Sequence, residues 1–176
     1  IREAKKKGLD VSCSVAIHNL LLTDKMLASF DANAKVLPPL RTQLDNEALI
    51  EGLKDGTIDM VTTDHNPIDV ENKKVEFDNA LYGSIGLESA FGALQTIFTT
   101  EETIKFLTSG LDRFMLETSK LEKGSLANLS LFLPDVNYTF ANKDILSTSK
   151  NSIFLDSQLK GKAVGVVNNA GLILRS

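Results

Sequence analysis

Hydrophobic and polar positions follow two different periods along the first two thirds of the chain. A period of two residues predicts strands, whereas apolar residues three and four positions apart predict helices with one buried face. The predicted strands are residues 9–16, 35–37 and 57–63. The predicted helices are residues 1–8, 24–30, 45–54, 88–99, 101–107 and 112–116. Strands and helices in this order are typical of a parallel α/β sheet or barrel.

The last third of the chain has a different pattern. After Gly124, short apolar runs are separated by turn residues, which predicts a small β layer. The predicted strands there are residues 125–133, 138–140, 152–155, 163–167 and 172–174. We therefore expect two units, the strand–helix units in residues 1–122 and the β tail in residues 123–176.

The first residues indicate that something precedes them in the whole protein. Residues 1–8 have the character of the last turns of a helix, with three lysines near its negative end and Gly8 as a left-handed C-cap. We expect a chain that opens in the middle of a helix to be part of a longer protein.

Composition and charge narrow the classes of function. The net charge of −4 supplies no basic face for nucleic acid. No apolar run approaches the roughly 18 residues of a membrane-spanning helix. Cys13 is the single cysteine, so an internal disulfide is impossible and a reducing, cytoplasmic setting is the simplest expectation.

Candidate chemistry lies at the predicted strand ends, because catalytic groups of parallel α/β folds project from the carboxyl ends of their strands. Both histidines of the chain, His18 and His65, fall at such ends, as does the turn at residues 37–41. His18 is compatible with a metal ligand or with an ordinary hydrogen-bonded histidine. Asp64 is compatible with a metal ligand, a general base or a cap of the following turn. A catalytic zinc usually has three protein ligands, so these two residues alone do not define a site.

Several segments together resemble the dihydroorotases of the amidohydrolase superfamily. Residues 13–24 resemble a strand that ends in Pro-His-His-Leu-Leu-Leu-Thr-Asp, and residues 35–41 resemble Lys-Val-Asn-Pro-Pro-Leu-Arg. Residues 47–67 lead to Thr-Asp-His-Asn-Pro, which is similar to the family's Thr-Asp-His-Ala-Pro-His. Residues 83–90 resemble Gly-Ile-Ile-Gly-Leu-Glu-Thr-Ala. The matches to the family's C-terminal β segment are residues 124–134, 149–154 and 159–162.

This resemblance implies both a fold and an activity. The fold would be α/β, the C-terminal part of a (β/α)8 TIM-type barrel with strand–helix units six to eight, followed by part of a β sandwich. The activity would be that of a zinc hydrolase of pyrimidine biosynthesis, which opens the cyclic amide of dihydroorotate to N-carbamoyl-aspartate and closes it in reverse. One or two zinc ions would activate the water and polarise the amide carbonyl. By resemblance, His18 and Asp64 bind metal, Asp64 also carries the proton, and Gly83 contacts the substrate through its backbone.

Substrate-contact positions depart from the family pattern. Leu37 replaces the asparagine that hydrogen-bonds the pyrimidine ring, and Ile68 replaces the second histidine of the Asp-His motif, which helps to hold the substrate carboxylate. Tyr82 stands where a proline precedes the contacting glycine. A leucine neither donates nor accepts, so each ring group left unpaired would cost about 1–3 kcal/mol.

These departures leave three functions open. The first is a dihydroorotase with rebuilt contacts. The second is a weakened or inactive homologue with a structural role, for example as a partner of aspartate carbamoyltransferase. The third is a related amidohydrolase with a less polar cyclic amide as substrate. We expect the isolated 176-residue chain to be inactive, because it carries at most two metal ligands and a barrel edge that must pair with the N-terminal half of the same barrel. The family also implies a homodimer.

Overall fold

The structure, a computed structural model, describes residues 1–116, 121–168 and 171–175. Its helices are α1 (Arg2–Lys6), α2 (His18–Leu21), α3 (Gln43–Lys54), α4 (Val70–Lys73), α5 (Ala90–Ile97), α6 (Thr100–Thr108) and α7 (Gly110–Arg113). Its strands are β1 (Ser14–Ala16), β2 (Met60–Thr62), β3 (Leu129–Thr139), β4 (Gln158–Asn168) and β5 (Gly171–Leu174). Short 3-10 helices cover Asp24–Ser29, Ala32–Ala34 and Asn142–Asp144.

Strands β1 and β2 are parallel neighbours, and they align the two candidate strand ends. Ser14 lies opposite Met60 and Ala16 lies opposite Thr62. One further backbone bond, from the Ile17 N–H to the Thr62 carbonyl at 3.0 Å, continues the pairing beyond Ala16. The carboxyl ends of both strands therefore meet at one edge of the sheet.

The predicted strand at residues 35–37 is wrong. These residues form no strand, and β1 pairs directly with β2. The Lys35 carbonyl accepts a hydrogen bond from the N–H of Gly83 in a loop, and the two prolines that follow offer no N–H for a ladder. The described part of the chain thus contains two parallel strands where the pattern predicted three.

Three other expectations of local structure need correction. Residues 24–29 form a 3-10 helix without a side-chain cap, and the Met26 N–H donates to the Thr23 backbone carbonyl at 3.0 Å. Residues 152–155 form a turn, in which the Ile153 N–H donates to the Ser84 hydroxyl at 2.8 Å. Residues 9–13 precede the strand rather than form part of it.

The long helices confirm the periodicity. Helix α3 begins two residues before its predicted start, because Thr42 and Asp45 form a capping box. A second capping box, between Thr99 and Glu102, opens α6. Helix α5 covers the middle of the predicted segment 88–99. Helix α1 lies within the predicted segment 1–8, and α7 overlaps the start of the predicted segment 112–116.

The β tail is a three-stranded antiparallel sheet in the order β3-β4-β5. One buried hydrophobic cluster joins residues from both predicted units, among them Ile17, Leu94, Phe140 and Phe154. The segment that precedes β4 consequently packs directly under the strand–helix part of the chain. In the part of the chain that the structure describes, every helix is too short or too polar to cross a membrane.

Candidate functional site

His18 and Asp64 meet at the shared edge of β1 and β2. His18 opens α2 directly after the last pairing of β1, and Asp64 lies two residues beyond β2. The His18 Nε2 atom is 3.9 Å from the Asp64 Oδ2 atom. The structure therefore brings the two predicted metal ligands to one place.

The environment of His18 favours a neutral imidazole. The residue is 2% exposed, and its Nε2 atom has no hydrogen-bond partner among the residues that the structure describes. Burial lowers the pKa of His18 below its usual value, and the nearby Asp64 carboxylate only partly opposes that shift. A neutral imidazole with a ring nitrogen that has no protein partner can bind a metal ion.

The backbone at Asp64 is in the left-handed region, with φ at +47°. Aspartate tolerates this region better than most residues. The residues that follow Asp64 pair with the segment around Ser84. His65 forms a parallel bridge with Ser84, and the Asn66 N–H donates to the Ser84 carbonyl at 2.9 Å. A side chain at Gly86 would overlap the Thr63 carbonyl oxygen, so only glycine allows this approach.

His65 is oriented by hydrogen bonds that leave it unavailable as a metal ligand in this arrangement. Its Nδ1 accepts from the N–H groups of Gly86 and Leu87, each at 3.2 Å, which assigns the proton to Nε2. That nitrogen faces the Ser147 hydroxyl at 3.5 Å, and the hydroxyl donates to the Glu88 carboxylate at 2.5 Å. Burial raises the pKa of Glu88, but the hydrogen bonds from Ser147 outweigh it, and the pKa is lowered overall.

The three predicted substrate-contact positions lie on two loops and one turn. Leu37 is 64% exposed in a turn that the Asn19 side chain holds by donating to the Pro39 carbonyl at 2.9 Å. Gly83 is buried with φ at +141°, and an added Cβ there would lie 2.5 Å from the Asn66 side-chain nitrogen. Its N–H donates to the Lys35 carbonyl at 2.9 Å, so in this structure that group is already bonded within the protein.

Lys35 and Asn151 are functional candidates that the sequence did not single out. The Lys35 ammonium donates to the Phe77 and Asp78 carbonyls at 2.8 and 2.9 Å, which holds the loop before Gly83. The Asn151 side chain contacts the loops that carry Ile68 and Gly83. Both residues lie in segments that matched the family pattern, but nothing in a linear pattern shows that their side chains support a loop.

The described residues fit part of a metal site. Within residues 1–116, 121–168 and 171–175, no group of three or more histidine, cysteine, aspartate or glutamate residues could hold a metal ion. The unpaired His18 nitrogen beside a carboxylate supplies two donors of the right chemistry.

Comparison with known proteins identifies relatives of the chain. No protein-family model matches the chain. A dihydroorotase from a Thermoanaerobacter species is 40% identical over 167 residues, which are 92% of this chain and 39% of that protein. A dihydroorotase from Chlorobaculum tepidum is 38% identical over 184 residues, which cover 99% of this chain and 42% of that protein. The chain thus spans about two fifths of the length of these curated relatives.

Solved structures show the same fold. An L-hydantoinase (dihydropyrimidinase) from Arthrobacter aurescens matches 99% of this chain and 42% of its own, with a TM-score of 0.85 and 24% identity. An inactive dihydroorotase-like domain of a CAD-like multifunctional protein from Chaetomium thermophilum covers 97% of this chain and 46% of its own, with a TM-score of 0.68 and 21% identity.

The fold is that of part of an amidohydrolase TIM-type barrel with its β tail, which confirms the predicted fold class. Within that class, the chain is a homologue of the dihydroorotases, which match it at 34–40% identity. The resemblance drawn from the motifs is thereby confirmed.

Proposed function

We propose that the chain is the C-terminal part of a dihydroorotase-like, metal-dependent hydrolase of cyclic amides. Its reaction would interconvert dihydroorotate and N-carbamoyl-aspartate in pyrimidine biosynthesis. The observation that carries this proposal is the buried, unpaired Nε2 of His18 beside the Asp64 carboxylate. The sequence similarity to dihydroorotases supports the choice of substrate.

His18 and Asp64 would hold zinc, one or two ions in the full-length protein, together with ligands from the N-terminal half of the barrel. When bound, zinc would acidify a water molecule and polarise the amide carbonyl. Burial would keep the His18 imidazole uncharged at neutral pH, which is the form that binds metal. The Asp64 Oδ2 atom would accept a proton from the attacking water and return it to the ring nitrogen as the C–N bond breaks. The Asp64 side chain is 38% exposed, so it can be reached by water.

The wider setting follows from the same proposal. The N-terminal half of the same barrel is the first partner, because two parallel strands with two ligands do not close a site. Isolated, the 176-residue chain would be inactive. The full-length protein would be a homodimer in the cytoplasm. Gly83 and the positions of Leu37 and Ile68 would contact the substrate.

Metal analysis of the full-length protein tests the site. We expect the purified wild-type protein to contain at least one zinc per subunit and to hydrolyse dihydroorotate. The variant His18→Asn should lose most of that metal, because an amide oxygen is a weak zinc ligand compared with imidazole. Far-UV circular dichroism controls for folding. A wild-type protein without metal, or a folded variant with unchanged zinc content, would contradict the proposal.

A second candidate function is that of a catalytically weakened homologue with a structural role, for example in association with aspartate carbamoyltransferase. Leu37 and Ile68 favour it, because both place apolar side chains where the family has polar contacts. The same two residues also suit a related amidohydrolase with a less polar cyclic amide. Dihydroorotate turnover by the full-length protein separates these candidates from the first.

Restoring the family residues at positions 37 and 68 distinguishes the candidate functions further. We expect the full-length double variant Leu37→Asn, Ile68→His to raise kcat/KM for dihydroorotate by about 10- to 100-fold, because the two new hydrogen bonds, one to the ring and one to the carboxylate, together contribute roughly 1–3 kcal/mol. The gain should exceed that of either single variant. Leu44→Asn, on the exposed face of α3, is the control. No response in the double variant would show that these two positions are not the missing contacts.

A further inference from the structure

The Asn151 side chain joins the loop of Ile68 to the loop of Gly83. Its Oδ1 accepts from the Ile68 N–H at 3.2 Å. Its Nδ2 donates to the Asn66 carbonyl at 3.1 Å and to the Gly83 carbonyl at 3.3 Å. The residue is 5% exposed, so these bonds are shielded from water.

Only an amide satisfies this set of partners. One acceptor and two donor hydrogens are needed on the same short side chain, and asparagine supplies both. A carboxylate of the same shape would still accept from the Ile68 N–H, but it would place a negative oxygen against two carbonyl oxygens. Loss of the side chain would leave three backbone groups without this partner, among them the Gly83 carbonyl in a buried position.

The segment around Asn151 is itself held in place. Its backbone carbonyl accepts from the Ile85 N–H at 3.1 Å, and the Ile153 N–H donates to the Ser84 hydroxyl at 2.8 Å. On the other side, Ser147 is bonded to Glu88. Asn151 therefore presents its amide from a rigid support rather than from a free loop.

We propose that Asn151 is a positioning residue, which together with the His65–Ser84 bridge fixes the Ile68 loop against the Gly83 loop and so shapes the substrate site. This inference rests on the proposed function, because it assigns substrate contact to those two loops. Asn151 acts through the backbones at Asn66, Ile68 and Gly83 and takes no part in proton transfer. Its loss should therefore weaken substrate binding more than it slows the chemical step or reduces metal binding.

The test is steady-state kinetics of the full-length protein with dihydroorotate, together with zinc content and thermal melting. We expect Asn151→Asp to raise KM by about 10- to 100-fold, with kcat changed less than about threefold and zinc content unchanged. Asn151→Gln, which keeps the amide on a longer stem, should fall between the wild type and the aspartate variant. Asn142→Asp, an exposed asparagine close in sequence, is the matched control and should leave KM unchanged.

Each outcome decides the inference. An unchanged KM in a folded Asn151→Asp protein with a lower melting temperature would reduce Asn151 to a purely structural residue and overturn the proposal. Equal loss of kcat and zinc would place its effect at the metal and overturn it as well. If Asn151→Asp does not fold, Asn151→Ser, which keeps a hydroxyl donor and acceptor, is measured against the same KM criterion. Absence of turnover in the wild-type protein would instead refute the proposed function, and this inference with it.

Discussion

Replacing Asp64 by asparagine in the full-length protein should lower dihydroorotate hydrolysis by about 100- to 10,000-fold, the usual contribution of a positioned general acid–base group. An amide has the same shape as the carboxylate but cannot take up the proton of the attacking water. The left-handed backbone at Asp64 should not change, because asparagine adopts φ near +47° readily. The effect is therefore expected in kcat, measured by the absorbance of dihydroorotate as its ring opens. Zinc content is measured on the same variant, because Asp64 is also a proposed metal ligand.

Asp156→Asn provides the matched control for this change. Asp156 also has a positive φ, at +62°, but it lies in the turn before β4, where it has no link to His18. The control variant should retain wild-type kcat. Asp64→Asn with more than a tenth of wild-type kcat would remove Asp64 from the proton-transfer role.

The largest expected effect on stability is that of Gly86→Ala. The added methyl group would overlap the Thr63 carbonyl oxygen, which is backbone and cannot rotate away. Either the 83–86 loop or the segment after β2 must move, at an expected cost of about 2–4 kcal/mol in the free energy of unfolding. Urea denaturation of the full-length protein, followed by circular dichroism, measures this cost.

Gly8→Ala distinguishes that overlap from the general cost of replacing glycine. An added methyl group at Gly8 meets no atom within 4 Å, so only its positive φ of +75° opposes alanine. We expect a loss of about 1 kcal/mol there. Equal losses at the two positions would show that the Thr63 contact is not what requires Gly86.

The elements with strong local signals were predictable from the amino-acid order. Helix α3 combines an apolar stripe with a capping box, and both signals lie within twelve residues of one another. The pattern at residues 35–37 failed because so short a segment, Lys-Val-Leu, does not specify its hydrogen-bond partner. Its carbonyl at Lys35 bonds to Gly83, a partner that no local pattern reveals.

For the candidate site too, the motifs predicted some features and only the structure showed the others. The motifs identified His18 and Asp64 as chemistry-bearing residues at strand ends that meet at one centre, but they did not show that β1 and β2 are direct neighbours. Direct pairing of Ala16 with Thr62 brings the two side chains to 3.9 Å. The predicted strand at residues 152–155 begins directly after Asn151, whereas the structure has a turn there, and the Asn151 side chain bonds to the Asn66 carbonyl.

The sequence by itself determined the long helices, the kinship to dihydroorotases and the identity of two candidate metal ligands, because each depends on residues close together along the chain. Only the tertiary structure decided which strands are neighbours, that His65 braces a loop, and that Asn151 supports both substrate loops. Asn151 reaches partners 68, 83 and 85 residues away. Contacts over such separations arise from packing of the whole core, and no periodicity in the sequence encodes them.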